Sequence, residues 1–325
     1  WRIEIKKYPK LTEVGAWRVP RTGAWRTYDH LPPAIGEPCK DGGFFSQDDI
    51  REIVRYAKEH YIEIVPGIEL PGHMLALIAS YPEVSCTGDQ YHVNPGVNRL
   101  YGNEVHPSIS HEMCAGKESN FTMLENILDE YIQLFPGEYI HIGGDETYKG
   151  FWERCEKCRR RMQDENLSEV DELQSYIVKR VEKYLNSKGK KLIGWDEILD
   201  GGLAPNATVM SWRGMQGGIK AAKMGRDVIM APNTFAYLDH RQTDSAILPH
   251  VTRWRFLPLG RVYTFEPVPE EVDPKYILGG QGCLWSEFIR TCDENAYQAW
   301  PRGMALAEVL WSPKGNRDLD GFHQK

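Results

Sequence analysis

No run in this 325-residue chain is apolar for the roughly 20 residues that a membrane-spanning helix requires. A surplus of positive charge is missing too, since 39 lysines and arginines face 46 aspartates and glutamates, for a formal net charge of -7. A protein that grips a phosphate backbone needs a basic stripe, so nucleic acid is not an expected partner. No GxGxxG or GxxxxGK[ST] opens a predicted helix, which removes the usual glycine-rich phosphate cradles. Metal-binding spacing is sparse. Of seven cysteines only Cys155 and Cys158 lie close together, and no second CxxC or HxxxH accompanies them. A tetrahedral zinc site needs four ligands, so the pair reads as free thiols or a local disulfide, and no metal is expected. No secretory leader is visible within the sequence, and Trp1-Arg2-Ile3-Glu4-Ile5 opens abruptly in strand-like sequence. An upstream part of the protein is therefore expected.

What is present is a repeated alternation. Ser46-Gln47-Asp48-Asp49 reads as an N-cap with an acidic first turn, leading into a helix with Ile50, Ile53, Val54 and Ala57 on its apolar face. A strand over 61–69 follows and runs into Pro71-Gly72-His73. Beyond a long irregular stretch, Ser119 is placed as the cap of a helix carrying Leu124, Ile127, Leu128, Tyr131 and Leu134. That helix feeds the strand Tyr139-Ile140-His141-Ile142, which ends in Gly143-Gly144-Asp145-Glu146. A helix over 169–187 leads to a strand over 191–197, then a strand over 208–212 and a short helix over 218–224. Strands over 227–232 and 279–287 and a final helix around Met304–Leu310 complete the series. Six strand–helix alternations at this spacing predict an α/β fold with parallel strands, and without nucleotide motifs a (β/α)8 barrel is favoured over an open sheet. About six of its eight βα units are present.

The predicted strand ends carry the same residue types again and again. Glu69 and His73, Asp145 and Glu146, Trp195, Trp212, Tyr237 and Asp239, and Trp285 and Glu287 all fall there. Strand C-termini are where barrel active sites form. An Asp-Glu pair can instead cap the next helix, and a lone tryptophan at a strand end is usually packing, but three of them beside carboxylates make coincidence a poor account. Flat aromatic faces with carboxylates suit a sugar, whose C–H face packs on the rings while its hydroxyls donate to the acids. A phosphate ligand would call for Arg, Lys or a glycine nest. Successive side chains at a strand end alternate in direction. Adjacent Asp145 and Glu146 are therefore expected to diverge, and to serve one site without forming the facing acid and nucleophile of a conventional retaining glycosidase. His141, inside a buried strand, reads first as a hydrogen-bonded core residue.

These motifs resemble those of glycoside hydrolase family 20, the β-N-acetylhexosaminidases. His141-Ile-Gly-Gly-Asp145-Glu146 is similar to the family signature. Glu69-Leu-Pro-Gly-His73, Gly194-Trp195-Asp-Glu, Ser211-Trp212, Tyr237-Leu-Asp239 and Leu284-Trp285-Ser-Glu287 follow in the family's order. The resemblance implies an exo-acting, retaining enzyme that removes terminal β-linked GlcNAc or GalNAc from a glycan or glycoconjugate. The sugar's own 2-acetamido group is then the nucleophile and no cofactor is required. It implies Glu146 as general acid and base, Asp145 as the partner of the acetamido N–H, and Tyr237 as donor to the acetamido oxygen. Trp195, Trp212 and Trp285 would wall the pocket, Asp239 and Glu287 would accept from sugar hydroxyls, and His73 would stand beside Glu146. A variant releasing a disaccharide or preferring sulfated sugars is the nearest alternative, and the 83–118 loop is where it would differ. A glycan-binding barrel without catalysis is the alternative of another class.

The family's barrel begins with two strands not found here, and a non-catalytic α/β domain ordinarily precedes them. Residues 1–325 are thus expected to be a catalytic barrel that is incomplete at its N-terminal side, with the missing strands supplied by the intact protein. The resemblance to bacterial forms implies a periplasmic or secreted location.

Overall fold

A computed structural model describes residues 1–21, 33–34, 36–95, 111–243, 253–286, 289, 291–322 and 324. The chain divides into two compact units on either side of Ala207–Thr208. Of the 83–118 loop, residues 96–110 lie outside the described residues, as does Glu287.

The first unit is built from three parallel strands and the helices between them. Helix α1 (Gln47–Glu59) opens as predicted: Ser46 Oγ accepts the Asp49 N–H, and the Asp49 carboxylate accepts the Ser46 N–H, a closed capping box. Ile50 and Ala57 are buried on it, but Ile53 is exposed. Strand β1 covers only Gly67–Leu70. The predicted run from residue 61 is too long, because Tyr61 takes a left-handed backbone with φ 58° and stands wholly in solvent. Alternation there is not accompanied by a partner strand. A short helix, α2 (Leu75–Ser80), follows, and then α3 (Glu118–Leu134). The latter begins one residue before Ser119, with Lys117 at its N-cap and no side-chain cap. Its core face matches expectation, with Phe121, Leu124, Ile127, Leu128, Tyr131 and Leu134 buried. Each such side chain contributes about 1.5–3 kcal/mol of transfer free energy.

Strand β2 (Tyr139–Gly143) pairs in parallel with β1 through Gly67–His141 and Leu70–Gly143. Two helices that the sequence did not suggest, α4 (Gly150–Arg154) and α5 (Glu156–Asp164), come next. Helix α6 (Val170–Ser187) carries Leu173, Ile177, Val178, Val181 and Leu185 into the core and leads to β3 (Lys191–Trp195). Strand β3 pairs in parallel with β2 from Tyr139–Lys191 to His141–Ile193. Burial alternates along β1 and β2, with Ile68, Leu70, Ile140 and Ile142 buried, whereas β3 is buried from Leu192 to Trp195.

The second unit repeats the scheme. Strand β4 (Thr208–Ser211) is buried throughout, α7 (Gln216–Lys223) crosses over, and β5 (Val228–Met230) pairs in parallel with β4 from Val209–Val228 to Ser211–Met230. Helix α8 (Leu259–Tyr263) precedes β6 (Ile277–Gly280), which is parallel to β5. The predicted strand over 279–287 is corrected by this. The ladder stops at Gly280, and among the described residues beyond it Cys283 forms an isolated parallel bridge to Tyr237. Helices α9 (Cys292–Ala299) and α10 (Arg302–Trp311) close the unit.

Candidate active site

In the first unit the ends of β1 and β2 hold Glu69, His73, Asp145 and Glu146. After Gly143 the chain leaves strand geometry: φ is 73° at Gly143, 93° at Gly144 and 48° at Glu146. A left-handed conformation at a non-glycine residue costs of order 1–3 kcal/mol and marks functional turns. This turn is held from behind, where the buried Gln174 of α6 donates its side-chain amide to the Gly144 carbonyl at 2.7 Å. The opposing turn is strained in the same way, with His73 at φ 51°. It is held by the Met113 N–H, which donates to Pro71 O at 3.0 Å, and by the Met74 N–H, which donates to His111 O at 2.8 Å.

His73 Nε2 lies 3.4 Å from Asp145 Oδ2 and 3.4 Å from Glu146 Oε2. The expected divergence of the two acids therefore does not occur. Strand alternation ends at Gly143, and the left-handed turn brings both carboxylates to one imidazole. Burial works against a charged His73. Hydrogen bonds to Asp145 and Glu146, and the charges of Asp145 and Glu69, prevail and push it up to about 11. It is an imidazolium at neutral pH. Burial, with the Asp145 charge, pushes the Glu69 carboxyl up to about 7. Glu69 was visible in the Glu69-Leu-Pro-Gly-His73 motif without a role; its carboxyl packs on the tip, where a Cβ on Gly143 would meet Glu69 Oε2 at 2.0 Å.

His141 and Trp195 lie beneath the tip. Their rings are 4.8 Å apart at 65°, and His141 Nδ1 accepts the Gly143 N–H at 3.0 Å. Burial pushes His141 down to about 4, so it is neutral, with its proton on Nε2. Its role here is to fix the last residue of β2.

The second unit gathers an aromatic group. The Trp212 and Tyr237 rings stack at 6.1 Å and 20°, and Trp285 meets Tyr237 at 6.2 Å and 55°. Tyr237 and Asp239 are buried, at 5% and 3% exposure. The turn that carries them was legible, but its anchor was not. Arg302, the wholly buried first residue of α10, donates to the carbonyls of Leu238, His240 and Leu257. Gln298 of α9 donates to the Asp239 carbonyl at 3.1 Å. An arginine at the start of a helix has no local signature that separates it from a surface residue.

Of the two cysteine readings the structure shows the first: Cys155 and Cys158 are free thiols, and the fold brings Cys86 and Cys114 to them, so that four sulfurs lie within 4.8 Å of one another.

Comparison with known proteins bears on the family and the fold. The family described as glycosyl hydrolase family 20, catalytic domain, matches residues 1–314. A β-hexosaminidase of Porphyromonas gingivalis is 44% identical over 99% of this chain and 39% of its own length. One of Vibrio furnissii is 36% identical over 94% of this chain and 49% of its own. Among solved structures, a β-N-acetylhexosaminidase from Bacteroides fragilis is similar at TM-score 0.80 and 31% identity, covering all of this chain and 60% of that one. An exo-β-N-acetylglucosaminidase from Vibrio harveyi, solved with N-acetylglucosamine, reaches TM-score 0.81 at 29% identity, covering 99% of this chain and 49% of that one. The chain thus spans about half or less of the length of the curated relatives it matches. The fold class is the α/β (β/α)8 barrel of such catalytic domains, represented here by three parallel strands in each unit.

Two predictions follow from the tip geometry. Gly143→Ala adds a Cβ at a left-handed position against Glu69, so unfolding free energy falls by roughly 1–3 kcal/mol in denaturant titration. Stability also declines with rising pH in two windows. Glu69, raised from 4.5 to about 7, contributes stability that is full below pH 4.5 and lost as pH rises through 7. For His73, raised from 6.5 to about 11, the contribution is full below pH 6.5 and lost as pH rises through 11. Thermal unfolding across this range shows a shallower decline for Glu69→Gln in the lower window and for His73→Gln in the upper one.

Proposed function

The chain belongs to glycosyl hydrolase family 20, and we propose that it forms the catalytic part of an exo-acting, retaining β-N-acetylhexosaminidase that uses substrate-assisted catalysis. Its substrate is a glycan ending in a β-linked N-acetylhexosamine. The observation that carries this reading is the single imidazole nitrogen of His73 that meets both Asp145 Oδ2 and Glu146 Oε2, 3.4 Å from each. A retaining enzyme with its own carboxylate nucleophile places acid and nucleophile about 5–5.5 Å apart across the scissile bond. Here the two carboxylates converge on one imidazole nitrogen, with the oxygens that meet it within 4.8 Å of each other. The pair is suited to act side by side on one substrate, and the nucleophile is then left to the sugar.

Glu146, the more exposed of the two acids, gives its proton to the leaving glycosidic oxygen. As the C1–O bond breaks, the 2-acetamido oxygen bonds to C1, and the electron pair leaves with the protonated leaving group. Asp145 accepts the acetamido N–H and offsets the positive charge of the resulting oxazolinium. In the second half, Glu146 takes a proton from water as the water oxygen bonds to C1 and reopens the ring. Two inversions at C1 give net retention. Holding the acetamide as an intramolecular nucleophile supplies the rate advantage of proximity. To Tyr237, Trp212 and Trp285 the family resemblance assigns contacts with the acetamido group and the sugar ring, which suits their mutual ring geometry. Asp239 and Glu287 take the sugar hydroxyls in the same assignment.

The roles are tested by steady-state kinetics of the intact protein on aryl β-N-acetylglucosaminides. Glu146→Ala loses about 10²–10⁴-fold in kcat with a poor leaving group, less with an activated one, and azide restores turnover only in the latter case. Asp145→Asn lowers kcat for both leaving groups alike. A Glu146→Ala protein that keeps wild-type rates on the poor leaving group contradicts the assignment. Sugar binding without any turnover by the wild type would make the chain a glycan-binding barrel.

A further inference from the structure

The four thiols of Cys86, Cys114, Cys155 and Cys158 come from three segments distant in sequence, and the catalytic reading makes no use of them. Cys86–Cys158 and Cys114–Cys158 are each 3.6 Å apart between sulfurs, and Cys114–Cys155 is 3.8 Å. A tetrahedron of thiolates around zinc, with Zn–S near 2.3 Å, has edges of about 3.8 Å. Three of the six sulfur–sulfur edges thus lie close to that length, and all six are within 4.8 Å. The sulfurs do not resolve into two isolated pairs, since Cys158 is 3.6 Å from both Cys86 and Cys114, and Cys114 is also 3.8 Å from Cys155.

The surroundings are built for such a centre. Cys114 and Cys158 are wholly buried, and Cys86 and Cys155 are half-buried, so the sulfurs are shielded without being sealed off. Gly116 presses its backbone on the CxxC segment, where a Cβ would meet the Lys157 carbonyl carbon and would stand 2.7 Å from Cys158 N. Cys155 is the N-cap of α5 and Cys158 lies in its first turn, where the helix dipole favours negative charge. The supporting loops are fixed by further hydrogen bonds. Buried Asn120 donates to the carbonyls of Val84 and Cys114 at 2.8 and 2.9 Å, and Lys117 Nζ donates to those of Glu83 and Ser85 at 2.7 Å each.

We propose that Cys86, Cys114, Cys155 and Cys158 form a structural zinc site. All four positions are filled by protein, which leaves no open coordination position for catalysis. Its mechanical role follows from the residues beside it. Met113, next to Cys114, donates through its N–H to Pro71 O, and His111 O receives the Met74 N–H, so these bonds flank the turn that carries His73. Trp152 of α4, three residues before Cys155, donates its indole N–H to Met113 O at 2.8 Å. The metal cross-links the loop that braces His73 to the helices that follow Glu146.

Metal content of the intact protein, purified without added metal or a polyhistidine tag, tests this directly. Plasma mass spectrometry gives on the order of one more zinc per chain for the wild type than for Cys158→Ser, whereas Cys39→Ser and Cys292→Ser keep the wild-type value. If Cys158→Ser does not fold, an organomercurial titration of the wild type releases this zinc in step with modification of four thiols. Cobalt substitution gives the visible absorption of a tetrahedral tetrathiolate. A wild type without zinc, disulfides linking these cysteines in non-reducing peptide mapping, or zinc unchanged in a folded Cys158→Ser each overturn the proposal.

Discussion

Three carboxyl groups, those of Glu69, Asp145 and Glu146, surround His73, and keeping them together is the constraint that shapes the first unit. Asp145 and Glu146 share the imidazolium, while Glu69 meets the Asp145 charge by holding its proton up to about pH 7. The assembly also requires strained backbone. Glu146 and His73 are both left-handed, and Gly143 must lack a Cβ because the Glu69 carboxyl occupies that space. Restraint comes from farther away. Gln174 holds the Gly144 carbonyl, and the 111–113 segment holds the turn that carries His73. Each partner is buried or tied to something buried, so strain of a few kcal/mol at the tip is offset by packing behind it.

In the second unit the order of dependence is different. Stacked aromatic rings need little electrostatic restraint, but the turn carrying Tyr237 and Asp239 has several carbonyls to satisfy. Arg302 and Gln298 satisfy them from the two last long helices. Burial pushes the Arg302 guanidinium down to about 10, against the pull of the Asp239 charge, yet it stays ionised at neutral pH. A buried cation that donates to carbonyls from several positions is costly to remove, because several buried hydrogen bonds are lost at once.

Much of this was legible from periodicity and local chemistry. The strands at 139–143, 191–195 and 208–211 are short and mostly apolar, and they lie where the sequence puts them. The Ser46 capping box was readable because its two members are three residues apart. What failed was non-local. Alternation from Tyr61 to Val65 suggests a strand, but pairing depends on a partner that the local sequence does not contain. The divergence expected of Asp145 and Glu146 assumed that strand geometry continued past Gly143. Cys86 and Cys114 stand 28 residues apart with no spacing motif, so the four-sulfur cluster exists only once the loop between them has closed. Arg302 likewise has meaning only beside the turn it holds.

The central claim is that the substrate supplies its own nucleophile. It is tested most directly by comparing the intact protein's turnover of an aryl β-N-acetylglucosaminide with that of the matching aryl β-glucoside, which carries a hydroxyl in place of the acetamide. Hydrolysis of the acetamido substrate alone, with the β-anomer as first product, is the predicted result. Equal turnover of the two would contradict the account and require a carboxylate nucleophile on the protein.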